Sequence, residues 1–202
     1  IWSLGALHAE QPVGAPQVSP TGFIEYWPGT LPVILSAPHG GTLAPKELPD
    51  RQYGKVMRDD NTIELTMAMR DALIKKYGAA PAVIICRVKR QKLDCNREIT
   101  EAAQGDPLAE KAWKEYHAFI EEAERTLLKN HPLGLYLDIH GHAHLKARVE
   151  LGYALSSQEL QMADAELDKL AAKSSIRSLQ ALTKKPRRNS RSDSDRPTCI
   201  PS

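Results

Sequence analysis

No stretch of this chain approaches the ~20 consecutive apolar residues that a membrane-spanning helix requires, so no span is predicted. Charge of one sign is also missing. Lys and Arg number 27 against 25 Asp and Glu, a net charge of +2, which gives no global reason to expect nucleic acid as a partner. The one dense basic cluster, Lys184 to Arg191, lies in a polar C-terminal stretch and reads as a solvated tail. Cysteine is scarce and odd in number: Cys86, Cys95 and Cys199 fit neither a zinc ribbon nor a dense disulfide framework. The length of 202 residues suffices for one full hydrophobic core, and no second domain is needed to account for it. The first nine residues, Ile1 to Ala9, fit a secretory leader remnant or an N-terminal strand, which leaves the compartment open between secreted and cytoplasmic.

Apolar periodicity supplies the elements. Thr21 to Tyr26 and Val33 to Leu35 read as β segments joined by a Pro/Gly turn. From Asn61 to Tyr77, Leu65, Met69 and Leu73 recur every four residues, which predicts an amphipathic helix capped by Asn61 or Thr62 and ended by Gly78. The β-branched run Ala82 to Cys86 predicts a strand buried on both faces. Asp106-Pro107 pairs an N-cap with proline at the first helical position, opening a helix through Leu128. Its inward face is Leu108, Ala112, Tyr116, Ile120, Ala123 and Leu127. Leu135 to Ile139 and Arg148 to Leu155 complete the strands, and Ser156 with Glu159 suggests a capping box for a helix over 158–173. Strands separated by helices of this length imply an α/β protein with a largely parallel sheet and helices on both faces. One domain over 1–180 is expected, followed by a polar tail over 181–202.

The chemistry concentrates at two strand ends. Leu135-Tyr-Leu-Asp-Ile-His-Gly-His-Ala-His144 runs from a strand into an acid, a glycine and three alternating histidines. Val33-Ile-Leu-Ser-Ala-Pro-His-Gly-Gly41 repeats the design. Imidazole is the commonest protein ligand for zinc, and a ligand leaving a strand's carboxyl end is held rigidly where α/β sheets bind things. His39 and His140 are therefore candidate metal ligands. A catalytic zinc needs a third protein ligand, and Asp59 and Asp60 stand at the entrance to the first predicted helix, where one of them can serve instead as a helix cap. The segment Arg87 to Arg97 follows a buried strand; it reads either as a solvated turn or as a cationic fork for a substrate carboxylate. His8, His117 and His131 are isolated and read as structural or exposed; His144 reads as a loop residue.

Four motifs in order, Ser-Ala-Pro-His39-Gly-Gly, Arg-Asp59-Asp60-Asn-Thr62-Ile-Glu-Leu, Arg90-Gln-Lys-Leu-Asp94-Cys-Asn96-Arg97 and Leu-Asp138-Ile-His140-Gly-His142, resemble N-formylglutamate amidohydrolase-like proteins, distant relatives of the zinc carboxypeptidases and aspartoacylase. The resemblance spans roughly residues 20 to 180, and Ser174 to Leu179 also looks like a family segment. It implies a carboxypeptidase-like three-layer α/β/α sandwich with a mostly parallel mixed sheet. It also implies one Zn2+ held by His39, His140 and an acid matching Asp60, with Asp59 the alternative. Strict carboxypeptidases place a glutamate three residues after the first histidine, and here that position is Thr42. By the same resemblance Asn96, Arg97 and Arg90 grip the substrate carboxylate, and Asp138 orients a histidine from behind. The expected activity is zinc-dependent hydrolysis of an N-formyl or N-acyl amide in a small carboxylate-bearing substrate. Glu150 is the candidate general base, with a surface strand residue as the competing reading, and His142 the candidate to bind substrate or stabilise the oxyanion. A non-catalytic binding or secreted structural protein that keeps the hydrolase fold is the alternative.

Overall fold

The computed structural model describes residues 14–146, 148–152, 154–170, 173 and 174. The expected leader or strand at 1–9, the family segment beyond Ser174 and the polar tail lie outside the described residues. Contacts divide the chain into two compact units, Ile1–Ala143 and His144–Ser202, where the sequence suggests one domain over 1–180. None of the described residues in the second unit is buried, so those residues have no core of their own.

The first unit is built on a five-stranded mixed sheet. Its strands are β1 (Gln17–Val18), β2 (Ile24–Trp27), β3 (Val33–Ala37), β4 (Ala82–Cys86) and β5 (Leu135–Asp138), in the order β1-β2-β4-β3-β5. β3 runs parallel to both β4 and β5, whereas β2 is antiparallel to β1 and β4. The sheet is thus evenly mixed rather than mostly parallel. The short Pro-Gly link over 28–32 has no room for a crossover helix, so β3 reverses the direction of β2. Among the described residues three helices complete the unit: α1 (Thr62–Tyr77), α2 (Ile99–Ala103) and α3 (Pro107–Asn130).

Alternate residues of the central strands feed two apolar clusters. Ile34, Ala82, Ile84 and Cys86 pack with Ala109, Ala112, Tyr116, Ala123 and Leu127 of α3. Leu35, Ala37, Val83 and Ile85 pack with Ile63 and Met67 of α1. Each large aliphatic side chain so buried contributes about 1.5–3 kcal/mol relative to exposure, which is why β4, buried at every position, anchors the sheet. The Asp106 carboxylate caps α3 by accepting from Ala109 N–H at 2.8 Å, with Pro107 at the first helical position, as the sequence predicts.

Other expectations change. The fully buried residues of α1 are Thr62, Thr66 and Arg70; of the expected Leu65–Met69–Leu73 stripe, Met69 packs partly buried against the second cluster and Leu65 is half exposed. Asn61 does occupy the N-cap, but in a left-handed conformation and with no side-chain capping bond. β5 is only partly buried, because it has β3 on one side and no strand partner on the other among the described residues. The described residues of 148–155 form no strand. In the second unit the Ser156–Glu159 capping box is present, yet it opens only a short helix, α4 (Ser157–Leu160), followed by α5 (Asp164–Lys169) in place of one helix over 158–173. Short helices with no buried face gain little from packing, the main source of helix stability in proteins.

Candidate metal centre

β3 and β5 are parallel neighbours with Ser36 opposite Asp138, so the chain leaving each strand carries His39 and His140 to the same sheet rim. Asp59 joins them because its backbone N–H bonds to the His39 carbonyl at 3.1 Å. Gly141 then donates its N–H to Asp59 Oδ2 at 3.1 Å. A Cβ at Gly141 would lie 3.2 Å from the Asp59 Cβ, so glycine at this position permits the close approach. Glycines 40 and 41 serve packing in the same way. A Cβ on Gly40 would strike Thr62 and Ile63 at the start of α1, and one on Gly41 would lie 2.4 Å from the backbone of Arg87 and Val88.

Three ligand atoms converge. His39 Nδ1 and His140 Nδ1 are 3.2 Å apart, and Asp59 Oδ2 lies 3.2 Å from His140 Nδ1 and 3.4 Å from His39 Nδ1. Ligand arms of ~2.0–2.1 Å at tetrahedral angles give edges of roughly 3.3–3.4 Å, so the triangle has the size of one face of a zinc site. The outer nitrogens are already committed. His39 Nε2 meets Asp94 Oδ1 at 2.7 Å and His140 Nε2 meets Asp138 Oδ2 at 2.7 Å. A carboxylate at Nε2 keeps the proton there and turns the Nδ1 lone pair inward on both rings. Two inward lone pairs and a carboxylate oxygen repel one another unless a cation or a proton sits between them, so the donor set fits a metal ion and could hold one.

The supporting layer is buried and highly charged. Asp94 is fully buried and, besides His39, takes Arg90 Nε at 2.8 Å and Asn96 N–H at 3.1 Å, with Arg51 Nη1 at 3.7 Å. Arg90 also approaches Asp59 Oδ1, at 3.5 Å. Asp138 Oδ1 accepts from the Ser36 hydroxyl at 2.5 Å. Burial alone raises the Asp94 and Asp59 carboxyls, but other contacts outweigh it. His39 and then Arg90 act on Asp94, and His140, His39 and the Gly141 N–H act on Asp59; both carboxyls are held well below their ordinary 3.8. The His140 imidazole is pushed up from 6.5 to about 9, first by its hydrogen bond to Asp138 and then by that to Asp59, against the opposing effect of burial.

These shifts fix a pH dependence for the metal-free protein. His140 has a raised folded value, so its contribution is complete below 6.5 and is lost as pH climbs through about 9. Asp59 and Asp94 have lowered values, so theirs is complete above 3.8 and is lost as pH falls further. Denaturant midpoints of the chelator-treated protein are expected to be highest between about pH 4 and 6.5 and to fall on both sides. In His140→Gln the alkaline decline should flatten; an unchanged decline would assign it to other groups.

The residues singled out from the sequence fall into distinct places. His39, His140 and Asp138 meet at the rim. Asp59, not Asp60, faces the histidines; Asp60 is exposed and paired with Arg58 at 2.5 Å, since the next residue along the turn points away. Arg90 is buried between Asp94 and Asp59, so its guanidinium supports the carboxylates around the histidines instead of reaching a substrate. Asn96 is exposed, its amide 3.1 Å from His140 Nε2. Arg97 is partly exposed, with Nη1 on the Asn96 carbonyl and Nε 3.4 Å from Glu101. His142 follows Gly141 on the same rim and is exposed. Glu150 belongs to the second unit, where it accepts from Arg148 Nε at 2.5 Å and meets His144 Nδ1 at 2.7 Å. Those partners, Arg148 first, hold its carboxyl below its ordinary value and make it a weaker proton acceptor.

Two features are not anticipated from the sequence. Asp94 is the orienting carboxylate for His39, a role signalled only by its spacing of four from Arg90. His117 and Trp113 of α3, together with Cys95, Asn96, Arg97 and Glu98, line an open cleft of about 360 Å³ beside the rim. The i, i+4 spacing of the two rings is the one sequence signal for that wall.

No family model, curated protein or solved structure matches this chain. The family resemblance therefore rests on the four sequence motifs, and the fold stands as a mixed-sheet α/β unit. No helix among the described residues is long and apolar enough to cross a membrane.

Proposed function

We propose that the chain is a zinc-dependent hydrolase that cleaves an N-formyl or N-acyl amide of a small carboxylate-bearing substrate. The observation that carries this reading is the convergence of His39 Nδ1, His140 Nδ1 and Asp59 Oδ2 within 3.4 Å of one another, each histidine backed by its own carboxylate. Three protein ligands with an open position is the donor count of a catalytic zinc. The accompanying fold reading is a zinc-carboxypeptidase-like three-layer α/β/α sandwich, supported by the separate apolar clusters under α1 and α3.

Bound zinc would act as a Lewis acid toward the amide carbonyl and lower the pKa of water. The chain's own groups supply the rest. Asp94 and Asp138 hold the imidazoles in one tautomer and one orientation. Arg90 joins His39 in keeping Asp94 ionised and stands 3.5 Å from Asp59 Oδ1. Asn96 holds its side-chain amide beside His140, and Arg97 stands next to it as the cation for the substrate carboxylate. Asp59, Asp94 and Asp138 are all committed to the histidines, so proton transfer falls to a further acid; Glu150 is the candidate read from the sequence, and His142 the residue to orient substrate.

A second reading is a non-catalytic binding protein with the same centre. It is favoured by the pairing of Glu150 with Arg148 and His144 and by the absence of a strand among the described residues of 148–155. Turnover separates the two. A panel of N-formyl and N-acetyl amino acids, assayed on chelator-stripped chain with and without one equivalent of zinc, is expected to show zinc-dependent amide cleavage. Glu150→Gln should keep the zinc and lower kcat by roughly 10²–10⁴-fold. Bound zinc with no cleavage of any substrate would favour the binding protein.

A further inference from the structure

We propose that the cleft between Cys95–Glu98 and α3 is the subsite for the substrate's side chain, and that it selects N-acylated amino acids bearing an aromatic ring. The proposal rests on the hydrolase reading above, and the experiment separates failure of one from failure of the other. Asn96 belongs both to the cleft lining and to the surroundings of His140, at 3.1 Å from its ring, so a molecule held at the centre extends past Asn96 into the cleft.

The wall is aromatic, and one nitrogen of each ring is already used. Trp113 and His117 stand one helical turn apart with ring centroids 4.0 Å apart and planes tilted by 44°. Trp113 Nε1 donates to the Arg97 carbonyl at 2.9 Å, and His117 Nε2 meets the Cys95 carbonyl at 3.1 Å. What the two rings offer a ligand is mainly carbon and π-surface. Burial, the leading influence on His117, lowers its pKa and leaves the ring neutral near pH 7. Arg97 and Glu98 bring one charge of each sign to the cleft lining. A planar uncharged ring gains from stacking against the wall. The volume of about 360 Å³ lies at the small end of the ~300–1,000 Å³ range of ligand pockets and suits a single amino-acid derivative.

The same contacts make Trp113 and His117 positioning residues. The carbonyls they hold flank Asn96 on either side, which fixes the segment that presents Asn96 and Arg97. Loss of the ring is therefore distinguishable from loss of the anchoring bond: Trp113→Phe keeps a ring without the N–H, and Trp113→Leu removes both.

The test uses the full zinc-loaded chain with N-formylphenylalanine and N-formylalanine. The expected kcat/KM is at least about tenfold higher for the phenylalanine substrate, an aromatic contact plus the burial of a larger group. Trp113→Leu should lower kcat/KM for both substrates through loss of the anchoring bond and, beyond that, erase about tenfold of the preference through KM with zinc content retained, whereas Trp113→Phe, which loses the bond alone, should retain most of the preference. His117→Leu is the second variant on the same wall and should act in the same direction. Equal rates for both substrates, or a preference that survives Trp113→Leu and His117→Leu, would overturn the assignment. Should neither amide be cleaved, calorimetric binding of N-formylphenylalanine decides. Binding weakened about tenfold by Trp113→Leu keeps the subsite and removes the hydrolase reading, whereas no binding removes the subsite as well.

Discussion

Asp94→Ala is expected to be the most damaging single substitution in the first unit. The carboxylate is fully buried and joins His39 Nε2, Arg90 Nε and the Asn96 N–H, with Arg51 close by. Removing it leaves the buried Arg90 guanidinium without its nearest partner and leaves Arg51 with one anion fewer. Breaking a buried ion pair in this way is destabilising by about 3–5 kcal/mol, far more than a surface pair is worth. His39 would also lose the acceptor that fixes its tautomer, and outer carboxylates of this kind change metal affinity by about 10–100-fold. Urea midpoints of the metal-free protein measure the first effect, and zinc competition against a chelator at fixed pH measures the second. A variant as stable as the parent would mean that Arg90 is solvated and the supporting layer is not closed.

The second large effect separates two neighbouring acids. Asp59→Asn should weaken zinc binding by at least about 100-fold, more than an outer-layer change, because it removes the only anionic ligand among the three. Asp60→Asn should leave zinc affinity within about twofold, since Asp60 is exposed and its partner is Arg58. Arg90 provides a related contrast. A substrate-binding arginine would alter KM alone, whereas the buried bridge between Asp94 and Asp59 should lower stability and zinc retention together when replaced by alanine. Paired titrations of the two aspartate variants check this directly; equal losses in both would show that the ligand acid is not chosen by the turn.

The strongly patterned elements are legible in the sequence. β4 is a β-branched run that ends up buried at every position, and α3 carries its own N-cap, proline and inward stripe. α1 misleads because, of its Leu65–Met69–Leu73 repeat, Met69 packs on the core beside Ile63 and Met67 while Leu65 is half exposed. Thr62 and Thr66 lie inward, with the Thr66 hydroxyl bonded back to the Thr62 carbonyl, and small side chains suit a helix that starts tightly against Gly40. At the centre, His39 and His140 are readable from their strand ends. The choice between Asp59 and Asp60 is not, because it depends on one backbone bond to the His39 carbonyl. Arg90 is equally opaque. Whether a polar run after a strand is solvated or buried depends on a distant loop folding over it, and here Arg51 bonds to the Arg90 carbonyl at 3.0 Å while Leu43 bridges Val88.

Zinc-edge X-ray absorption on the full chain loaded with one equivalent of zinc tests the central claim most directly. The expected result is stoichiometric zinc in a nitrogen and oxygen environment at ~2.0–2.1 Å, with scattering from two imidazoles and no sulfur. Spectra of His39→Ala and Asp59→Asn should lose that environment, and the spectrum of Asp60→Asn should keep it. A sulfur shell at ~2.3 Å, or zinc that stays bound with the same spectrum after His39→Ala, would place the metal elsewhere and contradict the His39–Asp59–His140 centre.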